Sequence, residues 1–218
     1  APHSLDQRPS QAAARAAGAL LYFSDDDAVL QPDTLERHLA FHHSRAEFPR
    51  ASDCVAVGGV DWQHGDRLER MRPRRVRYWN LHGVNTSLPK TLFERAGGFP
   101  DWLSGYGFED VLLGYALHRL GAPILALPDA PVRHLGANPV RGLEPAKARL
   151  AGRNAVRAAR RHPELALRLG VHPLLLALKR VLLASPLRFA WRLAPSTSLE
   201  YERAFLRGAL EESRHAGS

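Results

Sequence analysis

Cysteine is almost missing from this chain: Cys54 stands alone among 218 residues. That excludes an internal disulfide framework and any cysteine-rich zinc site. A reducing compartment fits, although a secreted protein without disulfides would look the same. Also lacking are a charged-then-apolar leader and an uncharged run of the ~20 residues that cross a bilayer, so the expected address is cytoplasmic. Gly 17 and Pro 16 are too few and too scattered for a low-complexity linker or a repeat array. What is there, 45% hydrophobic and 24% charged, is the composition of an ordinary globular protein.

Charge divides the chain. The net charge is +8, yet residues 1–140 hold 15 Lys/Arg against 16 Asp/Glu, residues 141–192 hold 12 against 2, and residues 193–218 hold 3 against 4. All of the excess therefore sits in one C-terminal stretch. We expect a catalytic module over 1–140, a boundary near Arg141, and a basic helical extension over 141–218.

Periodicity in the first module alternates between strand and helix. Pro9–Ala17 is Ala-rich and helical, Gly18 stops it, and Ala19–Phe23 is an apolar run of strand length. Thr34–His43 carries Leu35, Leu39 and His42 at helical spacing, after Pro32 and Asp33. Cys54–Val57 is a buried strand closed by Gly58 and Gly59, and Val76–Trp79 is a weaker one. A short helix over Pro89–Arg95 ends at Gly97 and Gly98, and a clear one over Glu109–Leu120 ends at Gly121. Ile124–Leu127 and Pro131–His134 are two further extended segments. The order predicts an α/β fold with an at least partly parallel sheet.

Two constellations carry chemistry. Ser24-Asp25-Asp26-Asp27 falls at the C-terminal end of a predicted strand, the edge where open α/β sheets bind ligands. Adjacent carboxylates repel unless a cation lies between them, and two such oxygens leave a hard divalent ion room for water and a diphosphate. The plainer reading is an acidic turn capping the next helix. Gly105-Tyr106-Gly107-Phe108-Glu109-Asp110 opens a helix. Its glycines allow close backbone approach, and a carboxylate there can take a proton from a hydroxyl nucleophile. Taken singly, Glu109 and Asp110 are also ordinary first-turn charges.

The ordered set of Ser24-Asp25-Asp26-Asp27, His82-Gly83-Val84-Asn85, Ala96-Gly97-Gly98-Phe99, Gly105 to Asp110 and finally His134 resembles the family 2 glycosyltransferases of the GT-A fold. It is also similar to the C-terminal catalytic portion of β-1,4-galactosyltransferase and chondroitin-synthase type enzymes. The resemblance spans about Pro9–Leu135 and implies a GT-A-like sheet with helices on both sides. It implies an inverting transfer of a sugar from a nucleotide-sugar donor to an acceptor hydroxyl on a carbohydrate or lipid-linked acceptor. By it, Asp25, Asp27 and His134 hold Mn²⁺ or Mg²⁺, Asp26 lies at the donor, Asp110 is the general base and Glu109 orients the acceptor. Asn85, Tyr106 and Gly107 fall on the acceptor side. Two departures stand out: Phe108 replaces a glycine often found there, and little chain precedes Pro9 where such enzymes hold the nucleotide, so we expect that part to be truncated.

Other features admit plainer readings. His38 and His42 are one helical turn apart but lack a zinc-protease glutamate, which favours a packed or solvated helix face. Arg67, Arg70, Arg72, Arg74, Arg75 and Arg77 crowd one segment before Tyr78 and Trp79; a solvated loop, an anion-holding loop and a nucleic-acid surface all remain open, with no nucleic acid expected. Cys54 is expected in the core. In the extension, Arg149, Arg153, Arg157 and Arg161 make a basic helical stripe, and Leu174 to Leu183 with Phe189 and Trp191 could lie on an anionic membrane surface, at the inner face of the membrane, through 141–192. Helices packing on the module or on a second subunit are the competing view. A non-catalytic basic adaptor and an inactive remnant of the enzyme are the alternatives to catalysis.

Overall fold

A computed structural model describes residues 8–46, 53–135, 144–184 and 199–215. The chain forms two compact units: Gln7–Pro100 with Glu109–Ala137, and Asp101–Phe108 with Asn138–Ser218. The boundary expected near Arg141 lies outside the described residues.

The first unit is built on a six-stranded mixed sheet in the order β1-β5-β3-β6-β2, with β4 paired to β3. The strands are β1 (Leu20–Phe23), β2 (Ala28–Leu30), β3 (Val55–His64), β4 (Arg67–Met71), β5 (Thr86–Pro89) and β6 (Ile124–Leu135). Only β3 and β6 run parallel; the other pairings are antiparallel. Helices α1 (Arg8–Arg15), α2 (Thr34–Ala46), α3 (Lys90–Arg95) and α4 (Glu109–Arg119) complete the unit. Val55 and Val57 of β3, Leu88 of β5 and Leu92 of α3 are fully buried together with Leu113 and Leu117 of α4. Leu113 and Leu117 are one helical turn apart, so α4 presents one apolar face to the sheet, each leucine contributing about 1.5–3 kcal/mol. Cys54 is buried, as its residue type suggests.

Three readings of the sequence need correction here. Gly58 and Gly59 do not end a strand: β3 continues to His64 and turns through Gly65 and Asp66 into β4. The glycines are there for space, since a Cβ on Gly58 would lie 2.1 Å from Asn85 Nδ2 and 2.6 Å from the Ala130 carbonyl. Ile124–Leu127 and Pro131–His134 are one strand, β6. Pro128 and Pro131 sit where the register against β3 jumps from Gly58↔Leu127 to Val60↔Val132. A proline has no N–H to give the ladder, and a bulge needs none. Finally, Val76–Trp79 is not a strand; Tyr78–Asn80 makes a 3₁₀ turn. It runs so close to α4 that a Cβ on Gly114 would lie 2.1 Å from the Tyr78 carbonyl oxygen.

In the second unit, α5 (Pro145–Arg161), α6 (Pro173–Ala184) and α7 (Leu199–Arg214) follow in sequence. Helices α5 and α7 cross at two glycines: a Cβ on Gly152 would meet the Phe205 carbonyl at 2.1 Å, and one on Gly208 the Arg149 carbonyl at 1.9 Å. The basic stripe is a seam between helices. Arg149 and Arg153 bind Glu211, at 2.9 Å and 2.7 Å, while Arg157 binds Glu212 at 2.9 Å. Arg161 lies over the Trp102 ring. Lys179 pairs with Glu202 at 3.0 Å, which takes it off the exposed face of α6. No helix among the described residues is long and apolar enough to cross a membrane. Phe189 and Trp191 lie outside the described residues.

Candidate active site

The site starts where β1 runs out. After Phe23 the chain turns tightly, the Ala28 N–H donating to the Asp25 carbonyl at 3.2 Å, and β2 begins. Pairing of β2 with β6 sets Ala28 opposite His134, and the Leu135 N–H donates to the Asp27 carbonyl at 2.9 Å. Register alone therefore delivers the imidazole to the acidic turn. His134 Nε2 lies 3.0 Å from Asp27 Oδ1 and 3.3 Å from Asp25 Oδ2. Both carboxylates are half exposed and the histidine is mostly buried. Trp62, its neighbour across the parallel pairing, holds the ring, with centroids 4.4 Å apart.

The three groups suit a hard divalent cation. Their ligand atoms all lie within 4.8 Å of one another. Neighbouring ligands around an octahedral ion with bonds of ~2.1 Å are separated by ~3 Å, close to the two separations found here. The two carboxylate oxygens suit a hard divalent ion such as Mn²⁺ or Mg²⁺, and the imidazole nitrogen adds a borderline donor; no thiolate that would select a soft metal is among the three. Asp25 is raised above the ordinary carboxylate range, by burial first and by the charges of Asp27 and Asp26, with His134 opposing. Asp26 is exposed beside them.

Asp110 opens α4. Its carboxylate accepts a hydrogen bond of 2.9 Å from the Gly83 N–H, and a Cβ on Gly83 would lie 3.2 Å from Asp110 Oδ1. Burial pushes the Asp110 carboxyl up to about 7, and the charges of Glu109 and Asp25 push the same way. The Gly83 N–H pulls against them. A carboxyl poised near neutral pH is what a general base requires.

Asn85 occupies a different position from its expected place on the acceptor side. It has no exposed surface. Its Nδ2 donates to the Gly59 carbonyl at 2.8 Å and the Ala130 carbonyl at 2.7 Å. Its Oδ1 accepts from the Tyr22 hydroxyl at 3.0 Å and lies 2.9 Å from His38 Nε2. Ser87 Oγ extends the network to His38 Nδ1 at 2.7 Å and His42 Nε2 at 2.9 Å. One amide thus ties together β1, β3, β6 and α2, the strands carrying the ligands among them. The helix face with His38 and His42 is packed, and burial holds both imidazoles below their usual range, His42 at about 4.

Tyr106 and Gly107 belong to the second unit, where the Tyr106 carbonyl accepts from Asn154 Nδ2 at 3.2 Å. Gly107 has φ +105, and a Cβ there would lie 2.9 Å from Ala151 Cβ. Phe108, where the resembled family often has glycine, takes φ 75, in the left-handed region that a non-glycine residue enters at a cost. Sequence reasoning missed Gly83 and Trp62. Gly83 stood in a quoted motif without a role; Trp62 gave no signal, because its value lies in its partner across the sheet.

The fold is GT-A-like, and it carries an acidic, histidine-flanked cluster whose ligand atoms could hold a metal ion. Over 102 residues the chain is 34% identical to the validoxylamine A glucosyltransferases of Streptomyces hygroscopicus subsp. jinggangensis (strain 5008) and subsp. limoneus, a match covering 42% of this chain and 24% and 22% of those proteins. The chain thus spans about a quarter of the length of these relatives. In fold it is similar to mannosyltransferase PcManGT from Pyrobaculum calidifontis, solved with GDP-Man and Mn²⁺, with a TM-score of 0.50 and 16% identity over 94% of this chain and 65% of that one. No protein-family profile matches the chain.

Proposed function

We propose that this protein is a metal-dependent glycosyltransferase of the family 2 type, moving a hexosyl group from a nucleotide-sugar donor to a hydroxyl of a carbohydrate or lipid-linked acceptor with inversion. The observation that carries the reading is the grouping of Asp25, Asp27 and His134, whose ligand atoms lie within 4.8 Å of one another, in the same unit as the buried Asp110 carboxyl. Asp25, Asp27 and His134 would hold Mn²⁺ or Mg²⁺, which when bound supplies positive charge to the leaving diphosphate. Asp110 takes the proton of the attacking acceptor hydroxyl, which makes the oxygen a nucleophile at the anomeric carbon on the face opposite the leaving group. The Gly83 N–H keeps the receiving carboxylate oriented. Glu109 sets the acceptor and raises the affinity of Asp110 for that proton. Asp26 borders the donor, Tyr106 and Gly107 the acceptor, and Asn85 acts as a positioning residue. A basic adaptor has no use for this constellation.

The domain reading, a catalytic module over 1–140 and a helical extension over 141–218, belongs to the same proposal, as does a working place at the inner face of the membrane. Leu174, Leu178 and Val181 support the latter, exposed by 76%, 53% and 65% along one face of α6. The test of the enzyme reading is transfer from UDP-, GDP- and dTDP-sugars with Mn²⁺, by the full-length protein and by its Asp110→Asn variant. Transfer that falls by roughly 10²–10⁴ in the variant, with donor binding kept, supports it. Undiminished transfer by Asp110→Asn would falsify it.

A further inference from the structure

A cavity of 570 Å³ opens at the far end of α4 and is lined by Arg77, Tyr78, Trp79, His118, Pro123 and Ile124 among others. It is separate from the site above. His118 lies eight residues along α4 from Asp110, ~12 Å at the helical rise, and Ile124 begins the strand that His134 nearly ends, up to ~33 Å of extended chain away.

Its chemistry is aromatic and basic. Tyr78 stacks on His118, centroids 5.1 Å apart, and meets Trp79 edge-on at 4.8 Å. The Arg77 guanidinium lies 5.0 Å from the Trp79 ring. No carboxylate is among the lining residues. Arg74 and Arg75, just before the cavity in the chain, are exposed and have no ion-pair partner among the described residues, whereas Arg72 is engaged by Asp61. Positive charge without internal compensation, beside an aromatic plane, calls for a ligand with both a flat apolar face and an anion.

We infer that this cavity binds an anionic saccharide, a sugar ring on Trp79 with its carboxylate or phosphate on Arg77. A single-stranded nucleic acid is the other ligand of that chemistry, but it needs successive stacking platforms along a groove. Here Tyr78 and His118 cover one another, so the lining offers no row of such platforms. The volume falls in the range of small-ligand sites. The choice of a saccharide rests on the proposed glycosyl transfer; the aromatic and basic site does not.

The experiment is fluorescence titration of the 218-residue chain with a galacturonic acid hexamer, glucose 6-phosphate, maltohexaose and a (dT)₁₂ oligonucleotide. The expected result is saturable binding of the hexamer or of the sugar phosphate, which tells a carboxylate site from a phosphate site. Arg77→Ala, an exposed position, weakens it at least ~10-fold, Trp79→Phe leaves binding but removes most of the signal, and maltohexaose binds at least ~10-fold more weakly. Asp25→Asn, in the other site, leaves it unchanged, and a parent protein that binds here but transfers no sugar overturns the enzyme reading alone. Equal binding of maltohexaose, an Arg77→Ala variant that binds normally, no binding of either anionic sugar, or preference for (dT)₁₂ overturns the inference.

Discussion

The Asp110 carboxylate and the Gly83 N–H share a 2.9 Å hydrogen bond across 27 residues of sequence. The contact fixes the carboxylate yet leaves the acid weak, because burial outweighs the single N–H donor. Folded Asp110 keeps its proton up to about 7, against 3.8 for the free group. Between those values the folded state binds more protons, so this group's stabilisation, complete below the lower value, is lost as pH rises through the upper. The buried, neutral His82 and His42 act in the opposite sense at acid pH. Comparison with Asp110→Asn isolates the effect: between about pH 5 and about pH 8 the urea midpoint of the parent falls relative to that of the variant. A constant difference between the two would dismiss the raised acid.

Metal binding supplies a second prediction. Asp27→Asn should weaken Mn²⁺ binding at least ~10-fold, followed by electron paramagnetic resonance of the free ion. Because the Trp62 ring packs on His134, Mn²⁺ should also quench tryptophan emission, and Trp62→Phe should remove most of that quenching. Quenching that survives in Trp62→Phe would place the ion elsewhere.

Gly58 tests the network around Asn85. An alanine methyl would stand 2.1 Å from Asn85 Nδ2, so Gly58→Ala must displace the amide from the Gly59 and Ala130 carbonyls. Leaving such buried groups unpaired costs about 1–3 kcal/mol each. We expect a urea midpoint lowered accordingly, with Mn²⁺ affinity falling in parallel; an unchanged midpoint would mean that the amide is not clamped.

The two helix-crossing glycines give a fourth prediction. Gly208→Ala puts a methyl 1.9 Å from the Arg149 carbonyl and forces α5 and α7 apart, destabilising by about 1–3 kcal/mol or more. The arginine seam adds an acid limb. Arg149 and Arg153 hold Glu211 down to about 2, so its stabilising pairing is present above the ordinary glutamate range and lost as pH falls toward that value. Glu211→Gln should flatten the loss of helical circular dichroism in acid.

A fifth prediction concerns α6. With Leu174, Leu178 and Val181 exposed along one face, Leu178→Ser should reduce sedimentation with anionic vesicles several-fold at low salt. Because Lys179 is paired with Glu202, its reversal should act through folding rather than through lipid. No vesicle binding by the parent chain would end the membrane proposal.

The helices of the first unit were readable because their apolar positions recur at 3.6 residues and Gly97 and Gly121 punctuate them. Strands β2, β4 and β5 were not. They are three to five residues long, and β4, Arg67–Met71, carries three charges that suit an exposed edge but hide a strand. That the acidic turn and His134 would come together was legible only through the family resemblance. The placement of Asn85 was not, since nothing local distinguishes an asparagine that touches a substrate from one that bridges carbonyls of distant strands. Helix α7 went unread for a related reason: Glu211 and Glu212 answer the arginines of α5 from more than 50 residues away.

The pairing of β2 with β6 brings Asp25 and His134 together from 109 residues apart. Contacts that distant form late in folding, because a long loop must close before they contribute anything. The acidic turn can be made early, by a few neighbouring residues, but His134, the third group of the proposed metal site, joins it only when the last strand docks alongside β3. In a refolding experiment, high-affinity Mn²⁺ uptake should therefore trail the recovery of helical signal. The ion would then be a clock for the final step of assembly in this unit.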